Sequence, residues 1–231
     1  MKTPKHVEPI EVASSPCSAS EELLGFTPMG DVSDVAVFVL AGGEGRRMGG
    51  GKPARLLAGR PLLSVALEAA RRHGGPIAIG VRRLDQIAPQ DGVEMIADTP
   101  EIAGPLAALS AGLQWARAKG RRYMLSVPCD APFLPHDLAS RLYARARPDA
   151  RIVIPSSLGR LHLACGLWRT DIGPALSVYA QSGRASLTGL AEAVGYAVEA
   201  WPPGAPDPFF NVNTPDDLVV AEGRLAHPHF E

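Results

Sequence analysis

The sequence predicts an α/β protein: a single doubly wound, mostly parallel sheet with helices on both faces. Two observations lead there. Short apolar runs rich in Val and Ile alternate with stretches whose apolar residues recur at helical spacing, the signature of strand–helix–strand units. The length, 231 residues, suits one such domain, with two small domains as the alternative, and it can bury a full core without disulfides or structural metal.

The elements follow in order. Residues 35–40, Val-Ala-Val-Phe-Val-Leu, read as a buried first strand leading into a glycine-rich turn. Pro61 suits a first helical turn, and Leu62, Leu63, Ala66 and Ala69 continue it as an apolar stripe. Residues 77–81 and 93–96 read as the second and third strands. Gly104-Pro105 opens a helix carrying Leu106, Leu109, Leu113 and Ala116 on one side. Residues 123–127 form the fourth strand, ending at Pro128-Cys129-Asp130, and a helix follows near 136–146. The second half is less regular. Residues 152–154 and 161–168 read as strands, 171–179 and 186–194 as helices, and 196–201 as a further strand. Thr214-Pro215-Asp216-Asp217 is a helix start with a capping hydroxyl, a first-turn Pro and an acid at the third position.

Residues 1–33, rich in Pro, Ser and Glu, read as a flexible leader without the apolar centre of a signal peptide. Residues 34–226 read as the domain, and 227–231 as a loose tail. Net charge is −1, so nothing points to a nucleic-acid or membrane surface. The three cysteines, Cys17, Cys129 and Cys165, form neither a disulfide framework nor a zinc pattern, and a reducing cytoplasm is the expected setting.

The turn after the first strand carries the chemistry. In Leu40-Ala41-Gly42-Gly43-Glu44-Gly45-Arg46-Arg47-Met48-Gly49-Gly50-Gly51-Lys52, glycines let backbone N–H groups approach an anion, and Arg46, Arg47 and Lys52 add positive charge. The reading is a polyphosphate cradle. It is not a P-loop, because Arg46 and Pro53 stand where Gly and Ser or Thr belong. Nor is it the dinucleotide fingerprint, because Met48 replaces the third Gly, and this ranks a dinucleotide-dependent oxidoreductase low.

If the strand order begins 3-2-1-4, the glycine turn and Asp130 leave adjacent strand ends on one edge. A carboxylate beside phosphates implies a cation between them, and Mg²⁺ is the natural one. Asp130 is thus the leading metal-ligand candidate. Asp98 reads as a turn residue or as an acceptor for the nucleotide. Asn211 and Asn213 alternate about Val212 and point to one side, either to complete a metal or ligand site or to bond the local backbone. His162 reads as a half-buried structural histidine in a strand, and Cys129 as a small packing residue.

Four segments carry a resemblance that spans about residues 34–225: Leu40-Ala41-Gly42-Gly43 through Arg47-Met48-Gly49 to Lys52; Asp98 before Gly104-Pro105-Leu106; Pro128-Cys129-Asp130 with Pro132 and Pro135; and Asn211-Val212-Asn213-Thr214-Pro215. In this order the chain resembles the molybdenum cofactor guanylyltransferases, within the wider group of α/β nucleotidyltransferases. Cytidylyltransferase relatives tend to carry Leu-Ala-Ala-Gly and Asp-x-Asp-Thr-Pro instead, so both differences favour guanine.

The resemblance implies a nucleotide-diphospho-sugar transferase-like fold and transfer of GMP from GTP to molybdopterin with Mg²⁺. It implies GTP contacts from the backbone of Leu40, Ala41 and Gly42, and from Lys52, Asp98 and Asp130. Asp130 and Asn213 fall on the metal side, and Lys52 and Arg47 on the departing pyrophosphate. His162 and Arg184 lie in stretches similar to the cofactor-facing half. Recipient molybdoenzymes and other proteins of the cofactor pathway are the expected protein partners. Departures from the family pattern are Gly51 for Asp before the loop Lys, Gly80 for an Asn that contacts nucleotide in some members, and Leu163 for a common Pro. The rivals are a molybdopterin cytidylyltransferase and a non-catalytic nucleotide-binding regulator.

Overall fold

The structure is a computed structural model that describes residues 32–43, 45, 48–148, 150–202 and 206–227. The leader expected over 1–33 and the tail over 227–231 fall almost wholly outside the described residues.

Strand β1 (Val35–Leu40) sits near the middle of an eight-stranded sheet. It pairs in parallel with β4 (Ile77–Val81) on one side and β6 (Tyr123–Pro128) on the other. Strand β5 (Glu94–Ala97) extends the sheet beyond β4. The order β5-β4-β1-β6 is the expected 3-2-1-4. A short hairpin, β2 (Leu56–Leu57) and β3 (Arg60–Pro61), lies apart from the sheet.

The two faces of β1 explain its composition. Val35, Val37 and Val39 join Leu63, Ala66 and Leu67 of α1 (Leu62–Arg72) and Leu138 and Leu142 of α3 (Leu138–Arg145). Ala36 and Phe38 join the opposite layer. That layer is α2 (Pro105–Ala118), α4 (Gly173–Gln181) and α5 (Leu187–Val194). A strand covered on both sides is apolar throughout, as this one is. Burial of each large side chain in these layers contributes about 1.5–3 kcal/mol.

The second half departs from the expected reading in detail. Strands β7 (Ile152–Ser157) and β10 (Tyr196–Ala200) run parallel, but β9 (Leu167–Arg169) is antiparallel to both β6 and β7. The apolar run 161–168 is not one strand. It divides into β8 (Arg160–Leu161), a 3₁₀ turn at Leu163–Cys165, and β9. A connection this short between β7 and β9 permits only an antiparallel return, since a parallel one needs a long crossover. His162 therefore lies at the start of a 3₁₀ turn, not in a strand. Helix α6 (Pro215–Ala226) closes the chain with the expected capping box between Thr214 and Asp217. No helix among the described residues is long and apolar enough to cross a membrane.

One core group has a consequence for stability. His73, at the end of α1, is buried and its Nδ1 has no hydrogen-bond partner. Burial pushes its pKa down to about 4, with Arg72 and His136 adding to the shift and Asp137 opposing it. A depressed folded-state pKa gives stability that is present above 6.5 and is lost as pH falls toward 4. The loss attributable to His73 is about 3 kcal/mol. Urea unfolding at pH values across that window is expected to show the decline, and His73→Gln is expected to flatten it.

Candidate active site

Parallel pairing puts the carboxyl ends of β1, β4, β5 and β6 on one edge. Leu40 is in register with Pro128, and the Cys129 amide donates to the Leu40 carbonyl at 3.1 Å. The glycine turn and Asp130 thus leave neighbouring strands side by side.

The turn then folds back on itself. The amides of Met48 and Gly50 donate to the Gly45 carbonyl at 2.8 and 3.0 Å. Gly45 has φ of +57°, and a Cβ there would lie 2.7 Å from Lys52 Cβ, so the lysine stem crosses where only a glycine fits. Met48 is buried with Leu57, Leu62, Val212 and Ala221. This plug anchors the turn and gives a physical reason for Met where a dinucleotide fingerprint has its third Gly. Arg55 donates to the Met48 carbonyl and braces the loop from outside. A 3₁₀ turn at Lys52–Ala54 follows.

Lys52 is only 8% exposed. Its Nζ donates to Asp130 Oδ2 and, at 2.8 Å, to Asn213 Oδ1. These residues come from three distant parts of the chain: the loop after β1, the end of β6, and the approach to α6. Their alignment has local causes. The Val212 amide donates to the Asp130 carbonyl at 2.8 Å, and Val212 is fully buried. Asp217 accepts from the amides of Asn213 and Thr214, each at 2.8 Å. Burial pushes the Asp217 pKa up, but those two amides, the Thr214 hydroxyl and the Lys52 charge together hold it below its ordinary value. The helix cap therefore also fixes the direction of Asn213.

Asp98 follows β5 on the same edge, its amide bonded to the Val81 carbonyl at 2.9 Å. Burial raises its pKa, opposed by the Arg82 charge, and its buried Oδ1 has no partner. It lines a cavity of about 440 Å³ with Leu40, Gly42, Arg82, Ser126 and Asp130. A second cavity of about 730 Å³ adjoins it and is lined by Arg160, His162, Asp207, Asn213, Thr214 and Asp217. Asn211 faces both. The expected alternation of Asn211 and Asn213 about a buried Val212 holds.

The departures have local explanations. A side chain at Gly80 would lie within 2.7 Å of Phe38 Cζ, so the large Phe38 and an Asn at 80 exclude each other. Gly51 has φ of +61° with open space where a Cβ would go, a backbone that Gly adopts without strain and that Asp also tolerates. Leu163 opens the 3₁₀ turn, a position that also suits Pro.

Other candidates separate clearly. Ala41 is buried, with its amide on the Gly80 carbonyl at 2.9 Å. Arg47 and Arg46 lie outside the described residues. Arg184 stacks over Tyr179 at 5.4 Å and lines a groove between α4 and α5. Cys129 is buried, and burial, helped by the Asp130 charge, pushes its thiol up to about 12, which suits packing and not nucleophilic attack. The sequence reading does not include Arg55 or Asp207: Arg55 braces loop carbonyls, and Asp207 meets Ser157 at the end of β7 and Arg224 of α6, contacts that no local pattern specifies. Asp217 was legible as a cap but not as a wall of the second cavity.

Asp130 and Asn213 offer hard oxygen donors, and a cation, the Lys52 ammonium, already sits between them. That donor chemistry fits a divalent ion shared with substrate phosphates. Among the described residues there is no cluster of three or more His, Cys, Asp or Glu to form an all-protein cage.

A doubly wound sheet whose glycine turn and lysine meet a carboxylate on the neighbouring strand defines the class: an enzyme that handles nucleoside triphosphates, a nucleotidyltransferase. The model of the MobA-like NTP transferase domain matches residues 37–194, and the chain belongs to that family. The molybdenum cofactor guanylyltransferase of Rhodopseudomonas palustris (strain BisB5) is 38% identical over 206 residues, covering 86% of this chain and 97% of that one. Molybdopterin-guanine dinucleotide biosynthesis protein A from Archaeoglobus fulgidus shares the fold, with a TM-score of 0.68 at 21% identity over 83% of this chain and 98% of that one. So does Rv0371C from Mycobacterium tuberculosis, solved in complex with manganese, with a TM-score of 0.56 at 17% identity over 82% and 98%.

Proposed function

We propose that this chain transfers GMP from GTP to molybdopterin in the cytoplasm, giving the guanine dinucleotide cofactor and pyrophosphate. The observation that carries this reading is the Lys52 ammonium held between Asp130 and Asn213 beside two adjoining cavities. The domain is assigned to residues 34–226.

The terminal phosphate oxygen of molybdopterin forms a bond to the α-phosphorus of GTP, and the bond from that phosphorus to the β-phosphate bridging oxygen breaks. The attacking group is already an anion, so no protein base is needed. Lys52, Arg47 and loop amides stabilise the departing pyrophosphate. The backbone of Leu40, Ala41 and Gly42 holds the nucleotide, and the unpartnered Asp98 Oδ1 accepts from one of its donors. Asp130 and Asn213 hold Mg²⁺, which when bound neutralises charge at the α-phosphate. The rate arises from positioning and charge stabilisation.

Two cavities suit two substrates. The smaller, bounded by Leu40, Gly42 and Asp98, takes the nucleotide, and the larger takes the pterin. The test is nucleotide choice, read as pyrophosphate release with molybdopterin and Mg²⁺. GTP is expected to be used in preference to CTP. Equal turnover of both removes the guanine assignment, and tight GTP binding without any release identifies a regulator instead.

A further inference from the structure

The larger cavity has a wall whose protonation the geometry dictates. Ser157 Oγ lies 2.7 Å from His162 Nε2 and 2.8 Å from Asp207 Oδ1. A hydroxyl has one proton to donate, and a carboxylate only accepts. The Ser157 proton therefore goes to Asp207, and Nε2 must donate its own proton to Ser157 Oγ. In neutral His162 the lone pair then belongs to Nδ1. Among the described residues Nδ1 meets no hydrogen-bond partner.

The ring is also fixed in plane. It stacks on Phe209 with centroids 4.5 Å apart and planes 13° from parallel. Phe209 is buried and packs edge-on against Trp201 at 5.1 Å. Asp207 is itself held, since its Oδ1 accepts from the Phe209 amide at 3.0 Å and its carbonyl accepts from Arg224 at 3.1 Å. Burial keeps His162 below its ordinary pKa, opposed by Asp207 and aided by Arg160, which favours the neutral ring.

We propose that Asp207 and Ser157 are positioning residues that hold His162 as the Nε2–H tautomer, so that Nδ1 is a fixed hydrogen-bond acceptor recognising an N–H donor on the acceptor's heteroaromatic ring. The identity of that acceptor rests on the function proposed above; the tautomer does not. A lone pair repels phosphate oxygens, so His162 reads the ring of the acceptor and not its phosphate. The phosphate is left to the cationic end of the site, at Lys52.

Two measurements test this on the full chain. The first needs no substrate. Long-range ¹H–¹⁵N spectra of ¹⁵N-histidine protein, assigned with His162→Gln, are expected to show a pyrrole-type Nε2 and a pyridine-type Nδ1. Ser157→Ala and Asp207→Ala, each of which removes an oxygen from the relay, are each expected to move the ring toward a mixture of tautomers. An Nδ1–H ring in the wild type, or no change in either variant, overturns the positioning role. The second is equilibrium binding of molybdopterin by titration calorimetry. His162→Gln keeps a polar group facing Ser157 but removes Nδ1, and is expected to weaken molybdopterin about five- to tenfold, the effect of one hydrogen bond. The Kd for GTP is expected to be unchanged. Unaltered molybdopterin binding, or weakened GTP binding, overturns the recognition role. Molybdopterin binding without pyrophosphate release sinks the transfer reaction alone, whereas a wild-type protein that does not bind molybdopterin sinks both.

Discussion

Asp130→Ala is expected to lower Mg²⁺-dependent pyrophosphate release by a factor of about a hundred to a thousand, the usual effect of removing one preorganised charge contact from a transition state. The fold should survive, because the Asp130 contact that docks the Val212 segment uses its backbone carbonyl. The substitution does leave Lys52 with one acceptor instead of two in a site where both partners are largely buried. A buried donor deprived of its partner costs about 1–3 kcal/mol, so some loss of thermal stability is expected as well. Asp130→Asn separates the effects. It retains an oxygen for the ammonium but removes the charge, so turnover should fall nearly as far while Tm changes less. Full Mg²⁺-dependent activity in either variant would end the assignment of Asp130 to the metal.

The part of the site nearest the first strand was legible because it depends on topology. Alternating strand and helix signals give a doubly wound sheet, and if its order begins 3-2-1-4, as the structure has it, the glycine turn lies beside Asp130. The Thr214–Asp217 cap was legible because a capping box is local in sequence. The contacts that complete the site are not local. Lys52 reaches Asn213 across 161 positions, and Ser157 reaches Asp207 across 50. Nothing in apolar periodicity specifies such pairs. The run 161–168 misled for a related reason: its apolar residues satisfy a strand pattern, yet the tight return from β7 to β9 requires a 3₁₀ turn inside it. Met48 shows the converse. Its mismatch to a dinucleotide fingerprint was visible, but its positive role as a plug in a small core shared with α6 needed the structure.

Lys52→Ala carries the second large effect, a loss of about a hundredfold in turnover together with weaker GTP binding. The apo protein should respond too, and in a direction that separates a phosphate ligand from a mere structural cation. With the ammonium gone, Asp130 and Asn213 face one another with no positive charge between their oxygens. The variant should lose stability, and added Mg²⁺ should raise its Tm by more than it raises that of the wild type, where the ammonium competes for the same oxygens. Mg²⁺ should not restore turnover, because in the complex the lysine serves the pyrophosphate and the metal cannot occupy both places. Lys52→Met, which keeps an unbranched stem lying over Gly45, distinguishes lost packing from lost charge. If Met restores activity, the charge on Lys52 has no part in the reaction. If both variants lose turnover but only Ala loses much stability, the stem serves the fold and the ammonium serves the chemistry.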